Sequence, residues 1–99
     1  MKVIISTEAR QSLARSIRVL SRTYSKAYLR KIKLAVDAQV SWLKDHPEGG
    51  QYESQLEWRG QGHRRVLAGP FKIVYRISKG VITITDIFDS RRDPKEMKG

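Results

Sequence analysis

Apolar and polar side chains alternate along the last third of the chain, from His63 to Pro94. An alternation with a period of two is typical of β-strands. The dipeptides Gly69-Pro70 and Lys79-Gly80 are turn signals that divide this stretch into three consecutive antiparallel strands. If each turn is a two-residue hairpin loop, the register follows. The predicted core face then holds the pairs Phe71–Phe88, Ile73–Asp86, Tyr75–Ile84 and Ile77–Ile82, with Val66 and Ala68 from the first strand.

The opposite face of these strands is predicted to be polar. It carries Lys72, Val74, Arg76 and Ser78 opposite Ile87, Thr85, Thr83 and Val81, with His63, Arg65 and Leu67 from the first strand. Arg91 and Arg92 follow the last strand and arrive beside these side chains. Because unpaired charges are costly to bury, we expect this face to be open to water or to an anionic partner.

An N-terminal strand and two helices are predicted before this sheet. The β-branched run Val3–Ile5 indicates a strand over Lys2–Ser6 that lies beside the C-terminal hairpins. Helical spacing links Ala9, Leu13, Ile17, Leu20 and Tyr24, and then Tyr28, Ile32, Ala35, Val36, Val40 and Leu43. Ser25 is a suitable N-cap for the second helix, which ends before Pro47. We therefore expect an α+β fold of order β-α-α-β-β-β, a single domain over residues 1–99, with a helical hairpin on one face of a small antiparallel sheet.

Residues 46–62 form a long segment without periodicity, predicted to be a loop. The segment holds four of the seven glycines and the acidic residues Glu48, Glu53 and Glu57. Leu56 and Trp58 are predicted to hold it against the core. The aromatic residues on or beside the helical stripes, for which core packing is expected, are Tyr24, Tyr28 and Trp42.

The charge of the chain points to an anionic partner. Twenty lysines and arginines against ten aspartates and glutamates give a net charge of +10 and a pI near 10.3. Eight cations lie between Arg10 and Lys33, on a helix surface that is either solvated or a docking surface for nucleic acid or an acidic protein. Such an excess is an electrostatic footprint for nucleic acid, an anionic membrane surface or an acidic protein.

Several other classes of protein are disfavoured. There is no cysteine, and hence no disulfide framework or thiolate metal site. No glycine-rich phosphate loop, GxSxG or HExxH motif is present, and the histidines lack carboxylates at metal-binding spacing, so neither a metal nor a cofactor is predicted. No apolar run approaches the ~20 residues of a membrane span, and the first residues do not resemble a signal peptide. We therefore expect a cytoplasmic protein.

The cations of the polar face are the main candidates for chemistry. They are Arg65, Lys72, Arg76, Arg91 and Arg92. Such groups can bind an RNA backbone and stabilise the charge that develops when a 2′-hydroxyl attacks its phosphate. Alternatively, some of them form surface salt bridges of little energetic weight with Asp86, Asp89 or Asp93. In the predicted register no acidic residue lies opposite Lys72 or Arg76.

The two histidines differ in their surroundings. His63 begins the polar face, where it is either a surface histidine or a group for proton transfer. His46 lies at a predicted helix end, where it is expected to complement the helix dipole.

The order of a strand, a basic helical hairpin, a P-x-x-G loop and three strands resembles the RelE/ParE superfamily of type II toxin–antitoxin toxins. The loop element is Pro47–Gly50, and the two motifs are Arg65–Ile77 (RVLAGPFKIVYRI) and Ile87–Pro94 (IFDSRRDP). The resemblance covers essentially the whole chain. It implies a toxin neutralised in a hetero-oligomer by a cognate antitoxin, which is usually an acidic, partly disordered segment.

Two activities divide the family that the chain resembles. RelE-like members cleave mRNA on the ribosome with basic residues of the sheet face, whereas ParE-like members inhibit DNA gyrase. By position, Lys72 matches the strand arginine of RelE-like toxins, and Arg91 or Arg92 matches the arginine after the last strand. Arg64 and Arg65 lie near the basic residues of the preceding strand. The chain departs from the RelE-like pattern because no tyrosine or histidine follows Arg92.

The leading hypothesis is therefore a RelE-like, ribosome-dependent mRNA endonuclease. Its catalytic residues would be Lys72, Arg91, Arg92 and His63, and its nucleic-acid-binding residues Arg64, Arg65 and Arg76. The alternatives are a ParE-like gyrase inhibitor and a degenerate toxin that only binds antitoxin or nucleic acid.

Overall fold

The structure, a computed structural model, describes residues 1–99 and confirms the predicted α+β fold. The strands are β1 (Lys2–Ile5), β2 (Gln51–Tyr52), β3 (Arg64–Ala68), β4 (Phe71–Ser78) and β5 (Val81–Asp89), and the helices are α1 (Thr7–Leu20) and α2 (Lys26–Asp45). Two 3₁₀ helices cover Ser54–Arg59 and Pro94–Glu96. The short strand β2 was not predicted, because two residues are too few to show a period.

The strands form one five-stranded sheet in the order β1-β5-β4-β3-β2. β1 lies parallel to β5, and the other neighbouring pairs are antiparallel. The predicted place of the first strand, beside the C-terminal hairpins, is therefore confirmed. β2 pairs with Arg64 and Arg65 at the far edge of the sheet.

The two helices begin at serine caps and cover one face of the sheet. The Oγ atoms of Ser6 and Ser25 accept hydrogen bonds from the backbone N–H groups of Ala9 at 3.0 Å and Tyr28 at 3.2 Å. Helix α1 packs against β5, and α2 packs against β3 and β1. The buried core between helices and sheet consists of Ala9, Leu20, Ile32, Val36, Leu43, Val66, Ala68, Phe71, Ile73, Tyr75, Ile82, Ile84 and Ile87.

A β-bulge at Thr85 changes the predicted register of the second hairpin. The pairs nearest the turn, from Ser78–Val81 to Tyr75–Ile84, are as predicted. The next pair is Val74–Asp86, so all pairs beyond it are shifted by one residue. The predicted faces of Asp86, Ile87 and Phe88 were therefore wrong. Ile87 joins the core, whereas Asp86 and Phe88 lie on the face away from the helices.

The three helical aromatic residues do not pack in the core as predicted. Helix α1 ends before Tyr24, which lies in the connecting turn, and the side chains of Tyr24, Tyr28 and Trp42 are 42%, 38% and 39% exposed. The rings of Tyr24 and Tyr28 lie 4.6 Å apart, and Trp42 stacks on His46 at 4.5 Å. Tyr24 and Tyr28 thus pack on each other, and Trp42 packs on His46.

The long loop is attached to the core through Gly50 and Tyr75. The buried Tyr75 hydroxyl accepts a hydrogen bond of 2.9 Å from the Gly50 N–H, and burial raises the pKa of Tyr75. A Cβ atom at Gly50 would lie 2.7 Å from both the Arg65 carbonyl oxygen and the Tyr75 hydroxyl. Glycine is required here by close approach of the backbone, and the contact sets where the loop leaves the sheet.

Candidate functional site

The second face of the sheet, defined as the face away from the helices, holds most of the predicted site residues. Arg65 of β3, with Lys72 and Arg76 of β4, lies on it as predicted. The face was expected to be open to water or to an anionic partner, and it is open only in part, since Arg65, Lys72 and Arg76 are half-exposed. The loop and the segment Met97–Gly99 cross it, and Leu56, Val74, Phe88 and Met97 form a buried apolar cluster there.

Glu53 is the main counter-charge of the second face. Its side chain is 2% exposed, and its Oε1 atom lies 3.5 Å from Nζ of Lys72 and 3.7 Å from Nε of Arg65. Its other oxygen accepts a hydrogen bond of 3.0 Å from the Gln55 N–H. This acidic partner of Lys72 was not predicted, because no acidic residue was expected opposite Lys72 in the sheet. The partner comes from the loop.

The two arginines after β5 are also paired. The Arg91 guanidinium binds Asp89 at two points, Nε to Oδ1 at 3.0 Å and Nη2 to Oδ2 at 2.7 Å. This hydrogen bonding holds the pKa of Asp89 below its usual 3.8. Arg92 lies 3.3 Å from Glu96, with its guanidinium over the Phe88 ring at 5.3 Å. Salt bridges to Asp86, Asp89 or Asp93 were the predicted alternative to ligand binding. The salt bridge between Arg91 and Asp89 is present.

Arg64 lies apart from the other predicted site residues and secures the loop. It is paired with Tyr75 in the register, so its side chain leaves from the opposite side of the sheet. Its guanidinium donates hydrogen bonds to the carbonyl oxygens of Glu48 at 3.1 Å and Gly50 at 2.8 Å. It also lies over the Tyr52 ring at 4.2 Å.

His63 is buried under the loop. The prediction of a surface histidine was therefore wrong. Its side chain is 3% exposed, and neither ring nitrogen has a hydrogen-bond partner. Burial lowers the pKa of His63 below its usual 6.5, and the positive charges of Arg59 and Arg76 lower it further. The imidazole is therefore neutral at pH 7.

Two further arginines, Arg59 and Arg76, lie at the second face. Neither forms an ion pair with a carboxylate, in contrast to Arg65, Lys72, Arg91 and Arg92. Both line a cavity of about 420 Å³, together with Glu8, Thr83, Thr85 and Lys98. The cavity therefore has both basic and acidic side chains in its lining.

The structure thus places Arg65 and Lys72 together at Glu53, and Arg76 on the same face but in a separate cavity. His63 is buried beside the loop, Arg91 and Arg92 lie in ion pairs at the strand exit, and Arg64 lies apart. Sequence reasoning missed Glu53, Arg59 and Met97. Glu53 and Arg59 lie in the aperiodic loop, where no pattern gives their direction. Met97 is an isolated apolar residue in a polar tail, which was a signal that the tail returns to the protein.

No group of three or more histidine, aspartate or glutamate side chains comes together in a way that could hold a metal ion. None of the helices has both the length and the apolar character that are needed to cross a membrane. The eight cations on or beside the helices, from Arg10 to Lys33, are all exposed.

Comparison with known proteins gives one match. The family model described as "ParE toxin of type II toxin-antitoxin system, parDE" matches residues 3–94, which is nearly the whole chain. No curated protein matches.

Proposed function

We propose that this chain, which belongs to the ParE toxin family of type II toxin–antitoxin systems, arrests growth by inhibiting DNA gyrase. Family membership makes it the toxin component of such a system, with a cognate antitoxin as its partner. The resemblance implies two activities, mRNA cleavage and gyrase inhibition. Of these two, we propose gyrase inhibition.

The observation that carries the proposal is the pairing of the cations on which mRNA cleavage would depend. Lys72, Arg91 and Arg92 each have a carboxylate partner within 3.5 Å. An RNA phosphate would have to displace these carboxylates before it could use the same donors. None of residues 93–99 is a tyrosine or histidine, which RelE-like toxins often place shortly after the closing arginine. Both features, and the name of the matching family, favour gyrase inhibition.

The direct test is a supercoiling assay with purified gyrase and relaxed plasmid. We expect supercoiling to fall as the toxin is added, and to return when its cognate antitoxin is added in equal amount. A parallel toeprinting assay on translating ribosomes should show no new mRNA ends. Undiminished supercoiling together with new ribosome-dependent cuts would overturn the proposal.

Ribosome-dependent mRNA cleavage is the second candidate, and the unpaired state of His63 and Arg76 favours it. In that mechanism Lys72, Arg91 and Arg92 stabilise the charge that develops on the phosphate, and His63 transfers the proton. Arg65 and Arg76 bind the RNA backbone, with Arg64 at the sheet edge. The toeprinting assay tests this candidate directly, because it requires cuts that depend on the ribosome.

A growth assay with induced expression precedes both experiments. Either candidate requires that the toxin alone stops growth and that the antitoxin restores it. Normal growth without the antitoxin would contradict both candidates and would favour a degenerate toxin that only binds its antitoxin or nucleic acid.

A further inference from the structure

One apolar side chain and two hydrogen bonds hold the segment Met97–Gly99 on the second face. The side chain of Met97 fills a buried position in the apolar cluster of this face. The Lys98 N–H donates a hydrogen bond of 2.9 Å to Oδ2 of Asp86, and the Lys98 carbonyl oxygen accepts one of 3.0 Å from the Thr85 hydroxyl. A segment with so few contacts can open while the rest of the chain stays folded.

The imidazole of His63 lies directly beneath this segment. His63 is 3% exposed, and neither of its ring nitrogens has a hydrogen-bond partner. A Cβ atom placed on Gly99 would lie 3.0 Å from Nε2 of His63 and 2.9 Å from the Arg59 side chain, so the Gly99 backbone rests on both groups. A buried polar atom without a partner is costly, and a buried charge without one is far more costly. The segment therefore covers the ring in a form that disfavours a second proton on it.

The charges around His63 also oppose its protonation while the segment is closed. The charged groups that pack around the ring and its cover are Arg59, Glu53 and Glu57 of the loop, Arg76 of β4, Asp86 of β5 and Lys98 of the segment. Burial and the two arginines lower the pKa of His63. Glu53 lies beside two cations of the sheet, and Glu57 is exposed, so neither carboxylate offsets this effect.

We propose that His63 is a pH-sensitive switch that controls whether the segment Met97–Gly99 covers the second face. In the closed form a protonated imidazole has neither water nor a carboxylate to bind. In the open form water reaches both ring nitrogens, and the buried position of Met97 is exposed. The switch does not depend on gyrase inhibition, so the failure of either proposal leaves the other standing.

The direction of the switch follows from the pKa of His63 in the two forms. The pKa is lowered in the closed form, whereas an exposed ring in the open form has its usual value near 6.5. The open form therefore binds the proton first as the pH falls. The equilibrium constant for opening rises below pH 6.5 until the pH reaches the lowered pKa of the closed form. For one proton, the rise between pH 7.5 and pH 5.5 is at most about tenfold.

Amide hydrogen exchange followed by NMR measures the opening at the Lys98 N–H, which is hydrogen-bonded in the closed form. After correction for the intrinsic exchange rate, the opening constant of the natural chain should be about three- to tenfold larger at pH 5.5 than at pH 7.5. In His63→Gln it should change less than twofold. His46→Gln, at an exposed position, should behave like the natural chain. A constant opening in the natural chain, or the same rise in His63→Gln, would overturn the proposal.

Two comparisons separate local opening of the segment from unfolding of the whole chain. Met97→Gln disfavours burial of the side chain without changing His63, so it should increase opening by the same factor at both pH values. The amide of Ile73, in the centre of β4, reports global unfolding and should exchange much more slowly than that of Lys98. If the two amides exchange with the same opening constant, the segment does not open by itself and the switch does not exist.

A titration of the natural chain gives a second test, which does not require that His63→Gln folds. NMR follows the ring protons of His63 and the methyl group of Met97 between pH 7.5 and pH 5, with the exposed His46 as a reference. Because opening is linked to protonation, both signals should change with the same midpoint, below that of His46. A Met97 methyl signal that stays unchanged while His63 titrates would overturn the proposal.

Discussion

Glu53 determines how much positive charge the second face presents. Its carboxylate is buried, and it lies within 4 Å of two cations that are each only about one quarter exposed. An ion pair in such a position has lost much of its screening by water, so its charges interact more strongly than a surface pair does. By contrast, Arg92 and Glu96 form a pair that water can reach.

The coupling between Glu53 and Lys72 should therefore exceed that between Arg92 and Glu96. We predict a coupling free energy of about 1–2 kcal/mol for the first pair and less than about 0.5 kcal/mol for the second. Each value comes from a double-mutant cycle, with Glu53→Gln and Lys72→Met in one and Arg92→Met and Glu96→Gln in the other, followed by urea unfolding. Equal coupling free energies would mean that water reaches Glu53 in solution, in contrast to its burial in the structure.

His63 gives the stability of the protein a specific dependence on pH. Its pKa in the folded chain is lower than 6.5, so the unfolded chain binds a proton first as the pH falls. The free energy of unfolding should therefore decrease as the pH drops below 6.5, until the folded-state pKa is reached, with a slope of at most about 1.4 kcal/mol per pH unit. Asp89 contributes only at lower pH, since its stabilisation is present above 3.8 and is lost as the pH falls through its lowered pKa.

Urea unfolding at pH 7.5 and pH 5.5 measures this effect. His63→Gln should lose less stability between the two values than the natural chain does, whereas His46→Gln, at an exposed position, should behave like the natural chain. An unchanged pH dependence in His63→Gln would show that the ring is accessible to protons in the folded state.

At the scale of the elements, the start of α2 was predictable because capping is a local property. Ser25 accepts a hydrogen bond of 3.2 Å from the Tyr28 N–H at the start of α2. Ser25→Ala should cost about 1 kcal/mol of stability. Ser41→Ala is the matched control, because Ser41 is exposed in the interior of the same helix, where alanine is favourable. Thermal unfolding measures the stability of the two variants. Equal stability would contradict a capping role for Ser25.

The parts of the fold that sequence reasoning missed are those that depend on distant contacts. Alternation placed β3, β4 and the turn-proximal half of β5 correctly, because a two-residue turn fixes the register near it. The bulge at Thr85 inserts one extra residue into β5, and no turn residue or break in the sequence marks it. The predicted faces of Ile87 and Phe88 were therefore exchanged. The loop that carries Glu53 and the segment that carries Met97 have no period, and their return over the sheet appears only in the fold.

These two segments also explain why the candidate site could be predicted only in part. Strand alternation correctly placed Arg65, Lys72 and Arg76 on one face. It could not show that Glu53 lies beside two of them, or that Arg59 adds a cation from the loop. The position of the loop decides which cations of this face have a carboxylate partner, and the sequence of the loop has no periodicity that predicts this position.

At the scale of the whole molecule, the largest group of exposed cations without an ion pair lies on the helical hairpin. The chain has a net charge of +10, yet Arg65, Lys72, Arg91 and Arg92 around the sheet are paired within the protein. The eight cations from Arg10 to Lys33 are exposed and form no ion pair. An acidic antitoxin should therefore be attracted first to the surface of α1 and α2.

Two doubly substituted variants of equal charge test this asymmetry. Arg15→Gln with Lys31→Gln removes two charges from the helices, and should slow association with the cognate antitoxin about three- to tenfold at low salt. Lys79→Asn with Lys95→Gln removes two charges from exposed positions away from the helices, and should slow it less than twofold. Asparagine suits position 79, because this backbone has a φ of 53°.

Stopped-flow measurements at several salt concentrations distinguish steering from contact. The screening length falls from about 10 Å at 0.1 M salt to about 3 Å at 1 M, so the difference between the two variants should shrink at high salt. A difference that persists at 1 M salt would instead place Arg15 or Lys31 in the bound interface. Equal slowing of the two variants at low salt would mean that only net charge matters, and that the helices have no special part in capturing the antitoxin.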